Sequence, residues 1–327
     1  MNSKRFKGPI FIVGVQRSGT KLLRDLLNQN PNIGIPIAES NFIPKMIKRF
    51  GNLPPFQNDA KFQEFYEEYT QTTFFWWMKK FGYVMSKEYL EKEADRTSWS
   101  SIIEVILRYH VPHGRDKEFI WGDKSPDYMF HINALKDLYP EARFIHIIRD
   151  PRDNCLSKKK AWGRHLYRSA EIWRSGVENA RYDGQQLGGD YMEVYYELLL
   201  ENPEKTLRDI CTFLGCKFTT SMMQPGRDCE DLGDAKGETK ILKNNKKKYT
   251  TQLTKTEIRR IEEIVYPLME LMPYEFDYAT MFNPISRIRL HILSKHDRWN
   301  RLMFNIRTKG FLEGIRFNFR LFKKHSS

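Results

Sequence analysis

The sequence predicts an α/β fold: a P-loop-type doubly wound sheet with central parallel strands and helices on both faces, plus a basic helical C-terminal tail. Three observations carry this. Ile10 to Val15 is a short continuous apolar run, as a buried parallel strand requires, and it passes through a glycine turn into an amphipathic helix. Arg143 to Ile148 is a second such run, entered from a helix that carries Ile132, Leu135 and Leu138 and stops at Pro140. Helical and strand-like patterns alternate along the chain, with no internal repeat and no low-complexity linker.

The elements follow in order. Leu22, Leu23, Leu26 and Leu27 share one helical face, and Asn30-Pro31 stops that helix. Ile33 to Ile37 reads as a second strand. Phe62, Phe65, Tyr66 and Tyr69 lie at helical spacing, ahead of the aromatic run TFFWWMKKFGY, whose bland reading is core. The segment VYYELLLENPEKTLRDICTFLG opens strand-like and then forms a helix with Asn202 as N-cap, Pro203 at its first position and Gly215 as C-cap. A capping box, Thr254 to Glu257, starts a helix whose apolar stripe is Ile258, Ile261, Val265 and Leu268.

Of 327 residues, 40% are hydrophobic and 29% charged, the balance of a soluble globular protein. No apolar run approaches the roughly 18 residues of a bilayer span, and the stretch after the basic start is too short for a signal peptide. A cytoplasmic protein is expected. Cys155, Cys211, Cys216 and Cys229 lack metal-site spacing and read as reduced, mostly buried thiols. His110 and His113 lie three apart with no third ligand near, so no metal site is expected. The net charge of +13 is uneven. Met281 to Ser327 holds 11 basic against 2 acidic side chains, which leaves only +4 for the first 280 residues.

The turn after the first strand nearly spells a triphosphate loop, but Thr20 follows the second glycine and the lysine comes one place late, at Lys21. Backbone N–H groups and the helix dipole still make an anion site there. Arg17 adds a bidentate cation, and Ser18 and Thr20 add hydroxyls around Gly19. A sulfuryl group carries less charge than a γ-phosphate, so such a loop suits a phosphosulfate without lysine and Mg²⁺. A second anion site is read at RFIHIIRDPRDNCLS, where Arg149 ends the clear strand and Ser157 lies on the following helix. Asp150 is open to a rival reading as the Mg²⁺-binding acid of a P-loop kinase.

These motifs carry a family resemblance. GVQRSGTKLLRDLL resembles the 5′-phosphosulfate loop of sulfotransferases that use 3′-phosphoadenosine 5′-phosphosulfate (PAPS), and IIRDPRDNCLS resembles their 3′-phosphate motif. WGDKSPDYMFHINALKDLYPEARF and VYYELLLENPEKTLRDICTFLG are similar to the segments before and after that motif. The likeness runs from about Gly8 to Tyr278, with the flavour of the bacterial, carbohydrate and tyrosyl-protein branches. It implies a sulfotransferase domain over 8–280 with an extension at 281–327. It also implies PAPS as co-substrate, 3′,5′-adenosine bisphosphate as product, and no required metal.

The resemblance places a base at Glu39 in IPIAESNFIP, where a desolvated carboxylate is expected to have a raised pKa. Lys124 in GDKSP matches a lysine that neutralises the leaving phosphate, or is a solvated lysine before a turn. Asp123 reads as a surface carboxylate. Tyr196 resembles a nucleotide-contacting tyrosine, with Tyr195 open to the same role. The acceptor implied is a hydroxyl of a saccharide or glycolipid first, of peptidyl tyrosine or a small metabolite second. The basic tail, with Ile288 and Ile292 and a stripe of Phe311, Ile315, Phe319 and Phe322 beside Arg316, Arg320, Lys323 and Lys324, either contacts an anionic inner membrane or packs on the body. A nucleic-acid module would explain the charge but leave Arg17, Glu39 and Arg149 without a role, so no nucleic acid is expected.

Overall fold

A computed structural model describes residues 6–111, 118–228 and 236–316. Its strands are β1 (Ile10–Val13), β2 (Ile33–Gly34), β3 (Ile120–Lys124), β4 (Arg143–Ile148) and β5 (Tyr191–Tyr195). They form one sheet in the order β2-β3-β1-β4-β5, every pair parallel. The helices preceding β3 are α1 (Thr20–Leu27), α2 (Ile43–Phe50), α3 (Asp59–Thr70), α4 (Thr73–Lys80), α5 (Lys87–Glu93) and α6 (Trp99–Tyr109). After it come α7 (Ile132–Leu138), α8 (Pro151–Trp162), α9 (Leu166–Gln185), α10 (Tyr196–Glu201) and α11 (Pro203–Leu214). The last are α12 (Tyr249–Gln252), α13 (Lys255–Met269) and α14 (Arg287–Lys309). This is the expected doubly wound α/β architecture, with β1 at its centre.

Two compact units divide the chain. The first takes residues 1–148, 179–230 and 237–242, and so holds the whole sheet; the second takes 149–178, 231–236 and 243–327. In the first, Ile10, Ile12, Leu23, Leu26, Ile145, Ile147 and Leu199 form one core against α1, α10 and α11. In the second, Ile258, Ile261, Val265 and Leu268 of α13 are buried, and the Thr254–Glu257 capping box is formed in both directions.

One expectation is corrected here. The strand read over Ile33–Ile37 stops at Gly34. The side chain of Asn28 takes the next backbone groups instead, accepting from the Ile35 N–H and donating to the Ile35 carbonyl, both at 2.8 Å. In the tail, Ile288 and Ile292 of α14 are 77% and 59% exposed. The helix is anchored within its unit by polar groups. Asp297, buried, accepts from the His165 N–H at 2.7 Å and from Arg168 at 2.8 Å, while Asn300 donates to the Gly163 carbonyl at 2.8 Å. Phe319, Arg320, Phe322, Lys323 and Lys324 lie outside the described residues, as do His113 and Cys229.

Candidate active site

The glycine turn joins the central strand to α1, and its backbone is specified by close approaches. At Gly14 (φ +147°) an added Cβ would stand 2.4 Å from the Ile147 carbonyl oxygen of β4. At Gly19 (φ +95°) it would stand 2.4 Å from the ring of Tyr196, so loop and ring can pack only if this residue has no side chain. Arg17 also takes a left-handed conformation (φ 73°). Ser18 is fully buried, its N–H donating to the Val15 carbonyl at 3.1 Å. Thr20 and Lys21 begin α1, directly after Gly19 at its N-cap. Tyr196 belongs to the core under the loop, whereas Tyr195 is half-buried with its hydroxyl donating to Glu193 at 3.3 Å.

Glu39 and Lys124 meet across the first unit. Lys124 ends β3 with 1% of its side chain exposed, and its Nζ donates to Glu39 Oε1 at 2.5 Å; Glu39 itself is 35% exposed. The lysine is therefore buried, not solvated. The carboxyl pKa runs against expectation. Burial pushes Glu39 up, but the charge and hydrogen bond of Lys124, a hydrogen bond from Asn41 and the charge of Lys21 together bring it below the ordinary glutamate value. Burial lowers the Lys124 pKa, Glu39 opposes that, and the charges of Arg24 and Lys21 add to it. Arg24, which the sequence reading missed, holds this segment. It is buried, pairs with Asp25 at 2.7 Å and donates to the Ile37 carbonyl at 2.5 Å, two residues before Glu39.

Asp123 is no surface carboxylate: it is fully buried on β3 beside Lys124. Neither of its oxygens has a hydrogen bond of ordinary geometry, although the hydroxyls of Ser125 and Ser40 are close enough to favour its charged form. Burial dominates and pushes its pKa up to about 6. Ser40 in turn bonds the Tyr128 hydroxyl at 2.9 Å, so a buried polar cluster adjoins Glu39.

The second motif opens the second unit. Arg149 is buried, its guanidinium donating to the Asn245 carbonyl at 3.1 Å and its own carbonyl accepting from the Trp173 indole at 3.0 Å. Ser157 is half-buried on α8. Asp150 caps α8: its Oδ1 accepts from the Arg152 backbone N–H at 2.8 Å and its Oδ2 from the Arg152 guanidinium at 2.7 Å. Both oxygens of the acid that a kinase would need for Mg²⁺ are thus engaged by arginine. His110, singled out in the sequence, is a core histidine with Nδ1 2.6 Å from the Ile106 carbonyl.

A family model described as the Sulfotransferase family matches residues 9–220. The chain belongs to the sulfotransferase family. The protein-tyrosine sulfotransferase of Drosophila melanogaster is 26% identical over 226 residues, covering 65% of this chain and 39% of its own length. Protein-tyrosine sulfotransferase 1 of Danio rerio is 23% identical over 225 residues, 65% of this chain and 55% of its own. This sulfotransferase-family chain therefore spans about half the length, or less, of those two relatives. A putative protein-tyrosine sulfotransferase of Caenorhabditis briggsae matches more evenly, at 22% identity over 83% of this chain and 90% of its own. Among solved structures, a sulfotransferase domain from the curacin biosynthetic pathway superposes with a TM-score of 0.53 at 19% identity, over 84% of this chain and all of that one. A sulfotransferase domain from the Synechococcus PCC 7002 olefin synthase gives 0.50 at 20%, over 90% and 96%. The parallel sheet with its flanking helices is the sulfotransferase fold.

Proposed function

We propose that the protein transfers a sulfuryl group from PAPS to an acceptor hydroxyl, with Glu39 as base and Lys124 neutralising the leaving phosphate. The observation that carries this is the 2.5 Å pair itself, a buried cation and a part-exposed carboxylate joined in the unit that holds the glycine turn. In-line transfer needs both groups at once. The acceptor O–H gives its proton to Glu39 as the new O–S bond forms. The S–O bond to the 5′-phosphate breaks, and Lys124 takes up the charge on the departing oxygen.

The lowered pKa of Glu39 fits this only if the pair changes partners. While Lys124 binds Glu39, the carboxylate is a weak base. A donor that brings its phosphate to Lys124 draws the ammonium away, and Glu39 rises toward the value its burial favours. Arg17, Ser18, Gly19, Thr20 and Lys21 would hold the 5′-phosphosulfate at the turn, and Arg149 with Ser157 would hold the 3′-phosphate. Tyr196 would act from beneath the loop.

The acceptor is read as a saccharide or glycolipid hydroxyl, because exposed indole rings of α4 offer stacking surface in the same unit as Glu39. Peptidyl tyrosine is the second reading, favoured by the names of the relatives. Calorimetry without magnesium tests the donor. The expected result is binding of 3′,5′-adenosine bisphosphate that Arg149→Ala abolishes; preference for ATP with a magnesium requirement would overturn it in favour of a kinase. Incubation with sulfur-35-labelled PAPS and cell extract then identifies the acceptor by its label.

A further inference from the structure

An ordinary surface helix buries its apolar stripe and turns its charges to water; α14 does much of the reverse. Its one acidic side chain, Asp297, is buried, together with Leu293 and Asn305. Outward stand Ile288, Ile292 and Trp299, which are 77%, 59% and 61% exposed. At positions i, i+4 and i+11 these three fall within an arc of about 40° on the helix surface. Lys295 lies in the same stripe, and Met303 and Ile306 continue it half-buried. Exposed cations flank the stripe at about 80–120° on either side, Arg287 and Arg298 along one edge and Arg289 and Arg307 along the other. Past Gly310, Phe311 and Leu312 add two more exposed apolar side chains.

The inward acid has a structural cause. Asp297 binds the His165 N–H and Arg168, with Arg164 at 3.8 Å, and so ties α14 to the start of α9. The helix's negative charge is thereby engaged inside its own unit, and the charge it presents outward is positive. Arginines crowd its flank: burial and the charges of Arg168 and Arg298 lower the Arg301 pKa, with Asp297 opposing them. We propose that α14 docks the protein on a bilayer surface rich in anionic phospholipid, with Ile288, Ile292 and Trp299 at the acyl boundary and the flanking arginines at the headgroup phosphates. This goes beyond the reading of the reaction and is independent of it. An apolar stripe is stabilised by a phase without water, and cations on both edges by an anionic rim; such a bilayer offers the two in that arrangement. A second copy of the chain would set the same cations against each other across a twofold axis, with no exposed acid from either helix. A polynucleotide would meet the cations and leave the isoleucines in water. Because α14 is not apolar enough to span a bilayer, the mode is interfacial.

Flotation of the full chain tests this, with vesicles of phosphatidylcholine alone and of phosphatidylcholine mixed equally with phosphatidylglycerol. The parent should float with the mixed vesicles only. Raising salt from about 0.1 M to about 1 M should weaken that binding, as the screening length falls from roughly 10 Å to 3 Å. Arg287→Gln/Arg298→Gln should lower the partition coefficient about twenty- to thirtyfold, roughly fivefold for each cation. Ile292→Ser/Trp299→Ser should lower it about tenfold or more. All four side chains are exposed, so both variants should keep the parent's thermal midpoint, which separates lost docking from a lost fold. A parent that stays unbound to the mixed vesicles, or floats equally with both kinds, overturns the proposal. So does an Ile292→Ser/Trp299→Ser variant that floats like its parent, because charge alone would then hold the chain, as on any polyanion. If the parent fails to float and sediments as a dimer that the same substitutions return to monomer, the stripe is a contact between copies and not a lipid surface.

Discussion

At the scale of single residues, the centre of this protein is set by three side chains on neighbouring segments, Glu39, Lys124 and Asp123. Lys124 holds Glu39 in its ionised form, and the cost of burying charge falls on Asp123, whose carboxyl has no ordinary hydrogen bond. Its pKa of about 6, against an ordinary 3.8, has a definite sign in stability. Between those values the folded chain holds a proton that the unfolded chain has released, so this group's contribution falls as pH rises through the window. Asp123→Asn removes the penalty. Relative to its parent, the variant should be about equally stable near pH 4 and more stable above pH 6, by on the order of 2–3 kcal/mol at most for a shift of about two units. Denaturant unfolding of both proteins across pH 4 to 8 checks this; curves that stay parallel would show that Asp123 is ionised in the fold at no cost.

Elements explain why the glycine turn takes its shape. The strand before it and the helix after it are local consequences of apolar patterning, but the turn is moulded by β4 and α10, which come late in the chain. Gly19→Ala puts a methyl group into the Tyr196 ring at a backbone angle that only glycine adopts readily. The expected loss is about 2–4 kcal/mol, part steric and part conformational. Adding Tyr196→Leu should recover the steric part and leave about 1–2 kcal/mol for the backbone. A double-variant cycle in thermal or denaturant unfolding measures the split, and full recovery would mean that the angle itself carries no strain. The same logic ends β2 early, because a helix side chain, Asn28, supplies the hydrogen bonds that a longer strand would have needed.

For the whole molecule, the two compact units are built on different principles. The first is a sheet core of aliphatic side chains, while the second contains a buried ionic network around Arg152. That guanidinium donates to Asp150, to Glu262 at 2.7 Å and to Asp277 at 3.0 Å, and Glu262 also accepts the backbone N–H groups of Asp277, Tyr278 and Ala279. Arg152→Ala leaves the buried Glu262 and Asp150 without their cation and should cost about 3–5 kcal/mol. Hydrogen exchange should show that loss in α8 and α13 while β1, β3 and β4 keep their protection; equal loss in both units would mean that they unfold as one. Much of this architecture was legible beforehand. The first strand, β4, the caps at Gly215 and Thr254 and the glycine turn are written in patterns a few residues long, and local geometry honours them. The burial of Asp123 and Lys124, the depressed pKa of Glu39 and the outward turn of Trp76 and Trp77 were not legible. Each depends on a partner far along the chain, as Glu39 and Lys124 do across 85 positions. Periodicity determined which residues form strands and helices. Only folding decided which charges lost their water, because desolvation is a property of the packed neighbourhood and not of the neighbours in sequence.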